Sequence, residues 1–498
     1  MSVIKITMSK AIKNPPVKYT QIFINNEFVD SIEGKTFDAV NPATLQKMAT
    51  VQEGGKPDID RAVQAAKKVM DFHSEYSQMD ASQRGRLLSK LADLVERDMA
   101  YLASLECANN GKTFELAYGI DLPVSVSVFR YYAGAADKFS GSVLPSDGKL
   151  FAYTRYEPVG VVGAILPWNY PLEMLAIKLG PAIAMGNAIV VKPAEQTPLT
   201  ALHLAALARE AGFPPGVINI VPGYGPSCGQ HLVEHPDVNL IAFTGSTEVG
   251  ALIQRLASGT IKRVSLELGG KSPLIIFPDA DLDKAVEVAH SMCVINQGQC
   301  CVAATRTFVH ESIYDEFVKK TVELAKKHVI GDPLDDGVDH GPQIDMDQFN
   351  KVMNLIESGI KEGAKLEIGG KAASQGGLFV EPTVFSNVTD DMRIAREEIF
   401  GPVQQLMKFS DKEEVIARAN NTTYGLGAGV FTKDINLAME MSARLKAGQV
   451  YVNSYLNFGV QVPFGGFRQS GNSREFGLEG LKQYCEVKSV IVDLPVKI

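Results

Sequence analysis

The chain has 498 residues, a net charge of −8, 45% hydrophobic and 21% charged residues, which is the composition of a globular protein rather than a disordered one. That length suits roughly two to four domains with large cores. The acidic balance, without any lysine or arginine block, excludes a nucleic-acid binder and points to small-molecule substrates.

Met1 to Gln21 carries Lys5, Lys10, Lys13 and Lys18 with no acid, yet it lacks arginine and a long apolar core, so a loose N-terminal arm is expected rather than a targeting peptide. Residues 22–30 (IFINNEFVD) read as a hairpin turning at Asn25-Asn26. Ile59 to Asp71 and Ala81 to Glu106 show apolar positions at three- and four-residue spacing and predict two amphipathic helices, the second capped by Asp80. Tyr131, Tyr132 and Phe139 are expected in one further helix that leads to the polar Gly141-Ser142.

From Tyr156 the pattern becomes short β-branched runs alternating with helices. Val159 to Leu166, Ala188 to Val191, Val217 to Val221 and Leu240 to Thr244 are the runs, with a helix such as Thr200 to Ala211 between them. Such alternation means crossover units and a parallel sheet, on which ligands collect at the carboxyl ends of the strands. Three of those ends carry reactive or binding groups: Pro167-Trp168-Asn169-Tyr170-Pro171, Lys192-Pro193-Ala194-Glu195, and Gly245-Ser246-Thr247-Glu248. The last can set a helix N-terminus and a hydroxyl against a phosphate. The second half repeats the alternation, with strands at Arg263 to Leu268 and Leu274 to Phe277 and helices at Asp281 to Met292, Tyr314 to His328 and Asp345 to Glu362. Glu486 to Val492 reads as a closing strand.

The six cysteines (Cys107, Cys228, Cys293, Cys300, Cys301 and Cys485) are too few and too irregular for a disulfide scaffold or a zinc ribbon, which favours a reducing, cytoplasmic compartment. His231 and His235 lie four apart without a ligand cluster, so they read as surface residues, and no metal site is expected. Apolar runs fall short of the roughly 18 residues of a spanning helix, so no membrane crossing is expected. The segment Asn296-Gln297-Gly298-Gln299-Cys300-Cys301 is the candidate seat of a nucleophile, with Cys301 as the attacking thiol. Such a thiol needs an electropositive or amide-lined pocket, and the preceding glycine lets backbone N–H groups turn toward the sulfur. The alternative is that adjacent cysteines are small apolar residues ending a buried element.

PWNYP, KPAEQTP, FTGSTEVG, LELGGKSP, NQGQCC, EEIFGP and PFGGF occur in this order, and on these motifs the chain resembles the NAD(P)-dependent aldehyde dehydrogenases, particularly the class 1 and class 2 tetramers, over nearly its whole length. The resemblance implies an α/β fold: a Rossmann-type parallel-sheet NAD-binding domain at 22–139 and 159–266, an α/β catalytic domain at 267–470, and a small β oligomerisation arm at 140–158 and 471–498, after a flexible arm at 1–21. It implies oxidation of an aldehyde by Cys301, with Asn169 holding the oxyanion and Glu267 as general base. Lys192 and Glu195 would bind the adenosine ribose, and the Glu195 carboxylate would repel a 2′-phosphate, favouring NAD over NADP. Ser246 and Gly245 would meet the pyrophosphate, Glu398 and Phe400 the nicotinamide riboside, and Ile165 and Trp168 complete the cofactor set. Tyr170, Glu173, Met174, Ile177, Ile295, Phe458 and Phe464 would line the substrate tunnel of a homotetramer.

Relatives in those classes commonly place apolar or aromatic groups where this chain has Glu173, Ile177, Val294 and Ile295. They also frequently carry tryptophan where it has Phe28, Ala135, Ile177 and Tyr451, leaving Trp168 as its one tryptophan. Omega-crystallins, the cephalopod and mollusc lens proteins, resemble this same family. A structural lens role is therefore the alternative function. An unpaired Glu173 anion at the tunnel wall is expected to disfavour apolar aldehydes and, if close enough, to raise the pKa of Cys301; the alternative is that Glu173 points to solvent at the entrance and changes little.

Overall fold

In the computed structural model, which describes residues 9–497, the two runs of alternating strands and helices assemble into two seven-stranded sheets. In the first, Arg263–Glu267, Leu240–Thr244, Val161–Ile165, Ala188–Lys192 and Ile218–Ile220 pair in parallel. The hairpin of Ile22–Ile24 and Glu27–Val29 joins its edge antiparallel. Asn25 and Asn26 turn that hairpin with φ of 55° and 64°, the left-handed pair whose twist matches the flanking strands. Every residue of Val161–Ile165 and Ala188–Lys192 is buried, because helices cover both faces, and this is why these strands read as continuous apolar runs.

The second sheet runs Lys365–Ile368, Thr383–Ser386, Val403–Phe409, Arg306–His310, Pro273–Ile276, Gly427–Phe431 and Gln449–Val452, parallel except at its first pair. A third sheet stands apart from both. There Leu150–Pro158 lies antiparallel to Cys485–Asp493 over nine paired residues, with Val143–Leu144 on its other side. Phe476, Leu481 and Tyr484 belong to the core of the first sheet instead, so the chain between 471 and 484 packs on the main body.

Three expectations are corrected. The predicted helix from Ala81 to Glu106 is two, Ala81–Arg97 and Met99–Asn110, because Asp98 leaves helical geometry at ψ 12° while its carboxylate binds Arg97 and faces His203. Phe139 lies beyond its helix, which ends at Ala135, and packs on Tyr156 with ring centroids 4.4 Å apart. Residues 9–21 are not a loose arm: Ile12 N donates to Ser104 Oγ at 2.9 Å, Tyr101 OH donates to Pro16 O at 2.7 Å, and Tyr19 stacks on Phe28. The rest of the expected arm, residues 1–8, lies outside the described residues.

Leu282–Val294 is the helix that delivers the cysteine segment, started by Asp281, whose side chain accepts from Lys284 N. Asn296, Gln297 and Gly298 then follow with φ of 49°, 57° and 71°, three left-handed residues in succession. Gly298 is not there for flexibility, since a Cβ at this position would run into the Gly401 carbonyl. We expect Gly298→Ala to displace the following residues and to lower kcat/KM by about a hundredfold, the scale of an ångström misplacement, without loss of far-ultraviolet circular dichroism. Wild-type kinetics in a folded Gly298→Ala protein would contradict this reading of the loop.

Histidines tie the same helix to its neighbours. His290 Nδ1 faces Gln404 Oε1 at 3.0 Å and its Nε2 faces His328 Nε2 at 3.1 Å, while His340 Nε2 meets the Val380 carbonyl at 3.1 Å. Burial lowers His290 from 6.5 to about 4 and His340 to about 3. Both are held neutral when folded, so their contribution is complete above the unfolded value near 6.5 and is lost as pH falls toward those folded values. Each should cost up to about 1.4 kcal/mol per pH unit in that window. Denaturant melts at pH 7.5 and pH 5 should show the loss in the wild type and a shallower one in His340→Gln.

Candidate active site

The loop that carries the cysteines is fully buried up to Gln299 and is bonded to both halves of the chain. From the first half, Asn169 Nδ2 donates to Gln299 O at 3.0 Å, and Asn169 O accepts from Asn296 Nδ2 at 2.9 Å. From the second, Gln343 Nε2 donates to Gln297 O at 3.2 Å and Ile344 N to Gln299 Oε1 at 2.9 Å. Asn169 stands just after the strand ending at Ile165 and before the helix Pro171–Ala184, so the first sheet sets it rigidly. A primary amide has two N–H groups, and one of them remains to donate elsewhere.

Cys301 is part-exposed and Cys300 buried, and all six cysteines are free thiols. The hydrogen bond with Cys300 and burial hold Cys301 well above its ordinary pKa, while the same contact draws Cys300 down. Beyond its neighbour, the charged groups that act most on Cys301 are Glu398 and Glu267, two carboxyls that disfavour its thiolate. Resting Cys301 is therefore a thiol that must lose its proton to a base. Glu267, at the end of Arg263–Glu267, is 3% exposed; one carboxyl oxygen accepts from Ser473 Oγ at 2.7 Å and the other has no partner among the described residues. Burial and then Glu475 hold it well above the usual carboxyl range.

The other strand ends converge on the same side. Lys192 is 3% exposed, its Nζ 3.0 Å from Glu195 Oε2. Glu195 lines a cavity of about 430 Å³ with Phe37, Asp38, Gln196, Tyr224 and Met346. Ser246 is exposed and caps the helix Thr247–Ala257, its Oγ accepting from Val249 N at 3.3 Å. Gly245 makes room for the Phe243 ring, which a Cβ would strike. Ile165 ends the central strand, 8% exposed. Trp168 meets Phe400 edge-on at 5.3 Å, and Phe400 is itself left-handed at φ 58°. Glu398 Oε1 accepts from Gly270 N at 2.9 Å.

Tyr170, Met174, Ile295, Phe458 and Phe464 are part-buried, and Ile177 is 2% exposed. Met174, Phe458 and Phe464 pack on the first core and Tyr170, Ile295, Phe458 and Phe464 on that around Cys300, so they sit at the seam between the sheets. Glu173 has Asp121, Lys112 and Glu106 as its foremost charged neighbours, and then Cys300. His235 departs from a surface reading, with its side chain 9% exposed beside Asp60.

Several groups here had no local signal. Lys178 and Glu475 form a buried ion pair across 297 residues, and Lys178 Nζ also donates to Thr244 Oγ1 at 2.7 Å. Gln348 Nε2 donates to Phe400 O at 2.7 Å and holds that strained residue. Only spacing across the whole fold brings these partners together.

Residues 28–490 match the family model described as "Aldehyde dehydrogenase family". The chain is 59% identical to aldehyde dehydrogenase 1A1 of Oryctolagus cuniculus over 97% of its own length and 98% of the relative's. It is 58% identical to "Aldehyde dehydrogenase, cytosolic 1" of Mus musculus, covering 97% of each. Among solved structures, an aldehyde dehydrogenase of Bacillus cereus in complex with NAD+ superposes with a TM-score of 0.95 at 46% identity, over 96% of this chain and 98% of that one. An indole-3-acetaldehyde dehydrogenase with NAD+ superposes at 0.94 with 40% identity, over 96% and 97%. With its cysteine loop, amide and buried carboxyl gathered at the seam of two such sheets, the chain belongs to the aldehyde dehydrogenase family.

Proposed function

We propose that the chain oxidises an aldehyde to a carboxylic acid with NAD, through a thiohemiacetal and then a thioester on Cys301. The observation that carries this reading is a part-exposed thiol on a loop bonded to the Asn169 amide and under the influence of a buried carboxyl, Glu267, with a free oxygen. Cys301 gives its proton to water at its part-exposed side and, as thiolate, attacks the carbonyl carbon, while the remaining Asn169 N–H steadies the oxyanion. After oxidation of that carbon, Glu267 takes a proton from water, the water oxygen attacks the thioester, and the C–S bond breaks to return the thiolate. When bound, NAD supplies the hydride acceptor for this carbon.

The residues fit a dinucleotide. Lys192 and the Glu195 carboxylate at a 430 Å³ cavity suit a ribose diol and repel a 2′-phosphate, which supports NAD over NADP. Exposed Ser246 keeps its O–H to donate beside a helix N-terminus, with Gly245 before it, as a pyrophosphate requires. Ile165, Trp168, Glu398 and Phe400 complete the set. The structural lens alternative requires none of this constellation, and its completeness favours the enzyme. We assign a cytosolic location, which the mouse relative's name states for that protein. A homotetramer is supported by the third sheet, where Val143, Val487 and Ile491 are 70%, 59% and 63% exposed, an apolar edge suited to burial against other copies.

Cys301→Ala should abolish dehydrogenase and esterase turnover, while Cys300→Ala keeps much of both; the reverse would exchange their roles. Glu267 must ionise from a raised pKa to act as base, so hydrolysis of the thioester should climb with pH. Glu267→Gln should lower steady-state turnover about 10²- to 10⁴-fold while the first turnover of NADH survives in a stopped-flow trace. Millimolar NAD should raise the melting temperature by linkage, about 2.7 kcal/mol at a hundred times Kd, and absence of any shift would count against the cofactor assignment. Glu173→Leu should raise kcat/KM for long or aromatic aldehydes relative to a short one.

A further inference from the structure

Glu173 lies in the first turn of the helix Pro171–Ala184, about one helical turn beyond Asn169 and on the same face as Ile177. Its flanking Leu172 and Leu175 are fully buried, yet it keeps some exposure, and among the described residues it makes no hydrogen bond or ion pair. The one cation near it is already committed. Lys112, wholly buried, pairs with Asp121, lies 3.5 Å from Glu106 Oε1, and sits 4.2 Å over the Tyr170 ring. Three carboxyl groups, Glu106, Asp121 and Glu173, thus face one ammonium. Behind Glu173, Asp121 Oδ1 and Glu106 Oε1 are buried without a hydrogen-bond partner, although both residues are 0% exposed.

We propose that the tunnel takes aldehydes bearing an organic ammonium group on a short chain, with Glu173 as the specificity-determining anion and Tyr170, Phe458 and Phe464 as the aromatic wall; this rests on the aldehyde dehydrogenase reading above. A short chain follows from placing the carbonyl at Asn169 and the charge one turn away. Phe458 and Phe464 lie with ring planes 18° apart and centroids 6.1 Å apart, faces on which an alkylammonium is attracted by the ring quadrupole. A carboxyl left unpaired against apolar walls is costly unless a partner of opposite charge arrives, and a cationic substrate is that partner.

The groups facing Glu173 are Asp121, Glu106, Lys112, Cys300 and Tyr170. Burial and then Asp121 hold Glu173 well above the ordinary carboxyl range, which favours its protonated form in the empty tunnel. A bound cation draws the proton off, and preference for the charged aldehyde should therefore strengthen as pH rises.

The test compares kcat/KM for γ-trimethylammoniobutanal and its neutral carbon isostere in the wild type, Glu173→Gln and Glu173→Asp. The wild type should favour the charged aldehyde by roughly tenfold or more, as expected for a desolvated cation with an anionic and aromatic partner. Glu173→Gln should bring the ratio near one, and Glu173→Asp should restore part of it. A second arm needs no turnover: choline, and not its carbon isostere dimethylbutanol, should slow iodoacetamide labelling of Cys301 in the Cys300→Ala background, and should fail to do so once Glu173→Gln is added. Loss of all aldehyde turnover with choline protection intact would overturn the dehydrogenase reading and leave the ammonium site standing. Equal use of the two aldehydes, or equal protection by the two alcohols, would overturn the site.

Discussion

The left-handed run of Asn296, Gln297 and Gly298 is the constraint on which the rest of the site depends. Two of these are not glycine, so the conformation costs free energy and persists only because its surroundings over-determine it. The surroundings are drawn from both sheets: Asn169 follows a strand of the first, while Gln343 and Ile344 approach from the side of the second. The loop therefore serves as the rivet of the seam. Fixing it fixes the position of Cys301 relative to the amide and the carboxyl, which is what a reacting thiol requires.

Around that rivet the structure buries an unusual amount of charge. Glu267, Lys178, Glu475, Lys271, Glu106, Lys112 and Asp121 are all less than 10% exposed. Lys271 is lowered by burial to about 7, and among the described residues its side-chain nitrogen has no hydrogen-bond partner. Groups of this kind are weak sources of stability, since desolvation offsets most of their attraction. Their value lies in dipoles and charges set before a substrate arrives, in a medium where each counts for more than it would in water. The cysteine's own pair follows the same logic: their contact draws Cys300 down and holds Cys301 up, so the part-exposed sulfur keeps its proton until a base intervenes.

Much of this was legible from the residues. The strands ending at Ile165, Lys192 and Thr244 are fully or almost fully buried apolar runs, and their ends do carry Asn169, Glu195 and Ser246. Helix starts followed local chemistry, as at Asp281 and Asp345, whose side chains accept from the first turn. What misled was context. Asp98 breaks a continuous helical pattern because its carboxylate meets Arg97 and His203, the latter 105 residues away. The bare Cα of Gly245 and of Gly298 also serves packing that adjacent residues do not reveal, since each admits a distant or neighbouring group, the Phe243 ring and the Gly401 carbonyl.

The sequence by itself determined the fold class and the order of the strands along the chain, because periodicity and short motifs are local properties written in adjacent residues, and its motifs marked out Cys301, Glu267 and Asn169 as candidates through their resemblance to a family. It did not determine what surrounds them. That Glu173 joins Glu106, Lys112 and Asp121, that Lys178 meets Glu475 across 297 residues, and that Cys301 sits among carboxyls and amides were decided by the tertiary structure. The physical reason is that burial and charge pairing depend on distance in space, and the strands' crossover connections bring together groups that the chain keeps far apart.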